Sequence, residues 1–121
     1  MADIQCKRVY EAYSEEDGIR ILVDRLWPRG ISKENAKLDY WLKEIAPSNE
    51  LRKWFHHDVP KFKEFKDRYE KELNDGGQRA ALEQLTGIVA SNEGTITLLY
   101  GAKDEENNQA VILKEILEHK G

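Results

Sequence analysis

The chain has 121 residues, 40% of them apolar and 35% charged, which fits one soluble globular domain with a single core and leaves little room for two. Its net charge is −4 and its pI about 5.4, so it lacks the surplus of Lys and Arg that non-specific nucleic-acid binding requires. The lone cysteine, Cys6, excludes an internal disulfide and a cysteine-rich zinc site.

Nothing resembles a secretory h-region, because Met1 to Gln5 lead straight into a strand-like run. No apolar stretch approaches the ~20 residues that span a bilayer. The expectation is a cytoplasmic protein, one domain over 1–121, with no membrane partner. Ile4 to Tyr10 has the β-branched and aromatic content of a first strand, with Ile4, Cys6, Arg8 and Tyr10 on one face. Cys6 inside it reads as a buried, inert thiol. Ser14 to Gly18 is an acidic turn.

Ile19 to Leu26 reads as the second strand, and its consecutive Ile21, Leu22 and Val23 suit a strand covered on both faces. Trp27-Pro28-Arg29-Gly30 breaks it, since proline removes a donor and glycine admits a conformation that other residues avoid. Ser32 can cap a helical turn through Ala36. Leu38 to Ile45 reads as a weak third strand, stopped by Ala46-Pro47-Ser48.

Ser48 suits the N-cap of a helix carrying Leu51, Trp54 and Phe55 on one face. Asp58 suits the cap of the next, with Pro60 in its first turn. There Phe62, Phe65, Tyr69 and Leu73 recur at spacings of three and four, an amphipathic stripe. Asn74 to Gly77 is expected to end it. A further helix spans Arg79 to Ala90. Thr95 to Tyr100 is the best strand in the chain, followed by a polar loop and a last helix from Gln109 to Lys120 that buries Ile112, Leu113, Ile116 and Leu117. Strands separated by helices imply an α/β, three-layer fold: a small, mostly parallel sheet of about four strands with helices on its faces.

Ligands of such sheets bind beyond the carboxyl ends of the strands. Two polar loops lie there, Asp24 to Gly30 and Tyr100 to Asn108. The expected crevice has Asp24, Arg25, Trp27, Arg29 and Gly30 as one wall, Tyr100, Lys103 and Asn108 as the other, and Arg52 reaching in from the first long helix. The guanidinium forks of Arg25 and Arg29 match carboxylate or phosphate geometry. The competing reading is that one arginine merely neutralises Asp24. Asp24 follows three apolar residues and must be paired or carry a shifted pKa, which suits either an acid–base role or a loop lock. His56 and His57 are adjacent and point different ways, a poor joint metal site, although one can serve as an acid or base. The sequence has no Walker loop and no G-x-G-x-x-G, and calls for no cofactor or metal.

Cys6-Lys7-Arg8-Val9-Tyr10, Asp17-Gly18 through Gly30, Ala46-Pro47-Ser48, Leu51-Arg52-Lys53-Trp54-Phe55 and Thr97-Leu98-Leu99-Tyr100 together resemble the bacterial DUF488 family, in its short YeaO-like branch. The Leu22-Val23-Asp24-Arg25-Leu26-Trp27-Pro28-Arg29-Gly30 run is the most specific part. The resemblance covers nearly the whole chain and implies an α/β fold. Longer relatives carry a Cys-His-Arg motif after the last strand, where this chain has Asn107-Asn108-Gln109-Ala110. The expected partner is an anionic small molecule bearing phosphate or carboxylate. An enzymatic version, hydrolase or transferase, would use Asp24 or one of His56 and His57 as acid or base. The alternatives are a non-catalytic binding or regulatory module and a DNA-binding regulator, the last opposed by the negative charge.

Overall fold

The computed structural model describes residues 2–120. Four strands form one sheet in the order β1-β4-β2-β3: β1 is Asp3–Arg8, β2 Ile19–Leu22, β3 Tyr40–Trp41 and β4 Thr95–Tyr100. Every pairing is parallel, so the last strand in sequence lies between the first two and all carboxyl ends meet one rim. Cys6, Leu98, Ile21 and Tyr40 sit side by side across the four strands.

Five α-helices follow: α1 Lys33–Ala36, α2 Asn49–Phe55, α3 Phe62–Glu72, α4 Gly76–Ala90 and α5 Gln109–Lys120. Alternation along the strands sends Ile21, Val23, Ile96, Leu98 and Tyr100 to one face. There they join a core with Phe55, Phe65, Tyr69, Leu82, Leu85, Leu113 and Leu117 from α2 to α5. The other face is thinner. Leu22 and Leu99 are covered by Trp27, Ile31 and Leu38 rather than by a long helix. The fold is therefore three-layer α/β, with unequal outer layers.

Two of the expected strands are shorter than the apolar runs suggest. The second stops at Leu22 rather than Leu26: the Val23 N–H still donates to Leu99 at 3.0 Å, but the neighbouring strand ends one residue later. The third is reduced to Tyr40–Trp41, because Leu42 to Ile45 tightens into a 3-10 turn closed by the Ile45 N–H on Leu42.

Ser32 and Ser48 do cap α1 and α2, accepting from Asn35 and Leu51 N–H at 3.1 Å each. Asp58 makes no side-chain cap, and the turn Val59–Lys61 runs directly into α3. Asn74 to Gly77 does not simply end a helix. Gly76, at φ 58°, turns the chain and α4 starts there, three residues before Arg79.

The thin face carries a buried polar cluster. Arg20 is only 1% exposed; its guanidinium is held by the Asp17 carboxylate and donates to the Ala36 carbonyl at 2.9 and 3.2 Å. Lys7 meets both Asp17 oxygens at 3.1 Å, and Thr97 Oγ1 donates to the Asp17 carbonyl at 2.7 Å. Burial pushes the Asp17 carboxyl up, but its bonds from Lys7, Ser14 N–H and Arg20 outweigh that and hold it below the usual range.

Candidate functional site

Beyond the carboxyl ends of β2 and β4 lies a crevice of about 270 Å³. Asp24 is two residues past β2 and reaches across to the chain leaving β4. Its Oδ2 accepts from Gly101 N–H at 2.8 Å, and its Oδ1 accepts from the Gln109 side-chain amide at the start of α5. A Cβ on Gly101 would stand 3.0 Å from that Oδ2, so a side chain there would make the carboxylate give by a few tenths of an ångström. Burial pushes the Asp24 carboxyl up to about 6, against the opposing pull of these two bonds and of the Arg52 charge.

Arg25 is occupied structurally. It donates to the carbonyls of Ala46 at 3.0 Å and Pro47 at 3.4 Å, and lies 4.0 Å from Glu44. This ties the end of β2 to the segment entering α2. Ser48 fixes the same segment from the other side, its Oγ donating to Glu72 at 2.6 Å. The Arg52 guanidinium also lines the crevice, exposed on α2 and touching Asn49 Oδ1 at 3.3 Å.

Leu26, Ala46, Pro47, Phe55, Phe65 and Ala102 supply the apolar lining. Phe55 and Phe65 stack with ring centroids 4.3 Å apart. Asn108 lines the crevice while capping α5, its Oδ1 accepting from Val111 N–H at 3.1 Å. His57 stands at the rim. His56 and His57 both adopt left-handed backbone, φ 42° and 55°, a strained pair just where α2 ends.

Of the residues expected from sequence, Asp24, Arg25, Arg52, Asn108 and His57 line this crevice. Trp27, Arg29, Gly30, Tyr100, Lys103 and His56 sit elsewhere. The two-wall picture therefore needs correction on both sides. After Asp24 the chain rolls to the thin face: Trp27 Nε1 donates to the Ile31 carbonyl at 2.6 Å, its ring meets Trp41 edge-on at 5.4 Å, and Pro28 is buried. That carries Arg29 into solvent and puts Gly30 in an open groove beside Tyr10, Tyr13 and Lys37. Tyr100 is inward-facing core, Lys103 is exposed, and His56 ends α2, its N–H bonding the Arg52 carbonyl.

Gln109, Asn107, Phe55 and Phe65 were not foreseen as site residues. The signal for the first two lay in the Asn107-Asn108-Gln109-Ala110 stretch, the place of the longer relatives' motif. The aromatic stripe of α3 gave no hint that Phe65 also faces a cavity. Among the described residues no group of three or more His, Cys, Asp or Glu is placed to hold a metal ion.

The fold is a small parallel α/β sheet with a crevice at its carboxyl rim, lined by the Asp24-Arg25 pair and by Asn107 to Gln109. The chain belongs to the DUF488 family. It matches the group described as the inactive DUF488-N3 subclade over residues 3–120. It is 47% identical over 115 residues to the uncharacterized protein YeaO of Escherichia coli K12, covering 95% of this chain and 96% of that protein. It is 39% identical over 114 residues to Rv3073c of Mycobacterium tuberculosis H37Rv and to Mb3100c of Mycobacterium bovis, covering 94% of this chain and 92% of each. No solved structure matches the chain significantly.

Proposed function

We propose that this protein is a non-catalytic binding module that holds a small anionic molecule, carboxylate- or phosphate-bearing, in the crevice between Asp24 and Arg52. The observation that carries the reading is the Arg52 guanidinium on the wall of a partly enclosed cavity, with only a long bond to Asn49, while the other arginine is consumed by backbone carbonyls. A cavity of about 270 Å³ lies just under the roughly 300–1,000 Å³ of drug-sized pockets, which suits a small metabolite.

Three features favour binding over turnover. The family group is described as inactive. Each Asp24 oxygen is already held by a fixed donor, which restrains the carboxylate as a mobile base. Among the described residues the lining holds no serine, threonine, cysteine or lysine to act as a nucleophile. No described helix is long and apolar enough to cross a membrane. A cytoplasmic setting is part of the proposal, and the net charge of −4 argues against nucleic acid as the partner.

The test is a thermal-shift screen with inorganic phosphate and small carboxylates. A ligand at a hundredfold excess over its Kd stabilises by roughly 2.7 kcal/mol, a rise of about 10 °C for a domain of this size. Arg52→Ala is expected to abolish the shift and Arg29→Ala to leave it unchanged. A shift lost in Arg29→Ala and kept in Arg52→Ala would move the anion site to the thin face and refute the reading.

A further inference from the structure

The crevice proposed to take an acid has an acid in its wall. An anion resting on Arg52 meets the Asp24 carboxylate across the same cavity of about 270 Å³. With both charges present and no donor on the ligand, that contact is repulsive. An ionised carboxylate offers about four acceptor positions. Gly101 N–H takes one on Oδ2 and the Gln109 amide takes one on Oδ1, so each oxygen keeps acceptor capacity. Asp24 is half-buried and lines the cavity, so that capacity is within a ligand's reach. Arg25 does not answer it, because its guanidinium is turned to the carbonyls of Ala46 and Pro47. The same lining carries an apolar part, in which Phe55 and Phe65 stack together.

A carboxylate and a guanidinium on the walls of one small apolar crevice complement a molecule carrying both charges and an apolar body. We propose, resting on the binding reading above, that the ligand is a zwitterion of the amino-acid class. Its ammonium bonds Asp24, its carboxylate pairs with Arg52, and an apolar side chain lies against Phe55 and Phe65. The ammonium brings three donors to a carboxylate that has acceptor positions to spare, and the fork of Arg52 suits a carboxylate.

The two ligand classes respond oppositely to acid. The charged and titratable groups around Asp24 include Arg52 and the Tyr69 phenol, Arg25 and His57 of the same cavity lining, and Arg8, whose guanidinium donates to the Gly101 and Ala102 carbonyls. An ammonium needs Asp24 ionised, so its affinity falls as pH drops through the Asp24 value of about 6. A plain anion gains affinity over the same interval, because protonating Asp24 removes the repulsion. His57→Gln separates the imidazole's contribution from that of Asp24.

The experiment is calorimetric titration of the full chain with leucine and phenylalanine, their deaminated acids 4-methylpentanoate and 3-phenylpropionate, their decarboxylated amines, and inorganic phosphate. At least one amino acid is expected to bind about tenfold or more tightly than either of its truncations near neutral pH. The affinity should fall by about tenfold one pH unit below the Asp24 value, also in His57→Gln. In Asp24→Asn, checked for native fold by circular dichroism, the amino acid and its deaminated acid should bind equally. In Arg52→Ala the amino acid should lose its advantage over the amine. A deaminated acid that binds the wild type as tightly as its amino acid, or more tightly in acid, overturns the zwitterion and leaves the anion reading standing. An amine that matches its amino acid also overturns it. Absence of binding by every amino acid, carboxylate and phosphate overturns both.

Discussion

Asp24 is held at the crevice against its own preference. In an unfolded chain its carboxyl titrates near 3.8; in the fold burial raises it to about 6. The folded protein therefore binds the proton more tightly, and stability falls as pH rises from the lower value to the higher. Above pH 6 the ionised group costs roughly 3 kcal/mol, an upper figure at about 1.4 kcal/mol per pH unit. Asp24→Asn keeps an acceptor for Gly101 N–H, and Gln109 can rotate its amide to accept from the new NH2 group. The variant should be more stable than wild type by about 1–3 kcal/mol near pH 8 and equal to it near pH 4, measured by urea unfolding at both. A variant less stable at pH 8 would mean that the carboxylate locks the loop rather than straining it. Burial acts on Cys6 in the same direction: it pushes the thiol up to about 11, so Cys6 stays protonated and is the unreactive group that its place in a strand suggests.

At the scale of elements, β2 is set by what lies at its two ends. Gly18 precedes it at φ 63°, and a Cβ there would stand 2.0 Å from the Thr95 carbonyl oxygen of the neighbouring strand. Gly18→Ala should cost on the order of 3 kcal/mol or more, because both the backbone conformation and the strand approach must change; a shift in the urea midpoint reads it. Periodicity made β4, α3 and α5 legible, since their apolar spacing is what the fold buries. It overextended β2, because Ile21-Leu22-Val23 looks the same whether or not the neighbouring strand continues. The position of Asp24 at the rim was legible from an apolar run ending in charge. The departure of Trp27 and Arg29 was not, because it depends on the Trp27 bond to the Ile31 carbonyl and on cover for Leu22 and Leu99. Gln109 reaches Asp24 from 85 residues away, a pairing that only the position of β4 between β1 and β2 creates.

For the whole molecule, the two sheet faces are stabilised by different physics. One is an apolar core under four helices, the other rests on Arg20, Asp17, Lys7 and Thr97, which join β1, β4 and β2 beneath a thin cover. Arg20 is among the most buried side chains of the fold, although it is charged. Its pairing with Asp17 is a buried ion pair, in which desolvation offsets much of the attraction, so the loss of one partner costs more than the loss of both. Arg20→Met alone leaves a buried Asp17 with Lys7 as its one remaining charge partner, beside the Ser14 N–H, and should destabilise by about 3–5 kcal/mol. Arg20→Met with Asp17→Asn should recover most of that loss. The acid limb follows the same group. Asp17 lies below its ordinary value of 3.8, so its contribution is complete above that pH and is lost as pH falls through the folded value. The double variant should therefore lose less stability than wild type below about pH 3.8, measured by thermal unfolding across the acid range. A double variant no better than Arg20→Met would show that the face depends on the hydrogen bonds from Arg20 to Ala36 rather than on charge balance.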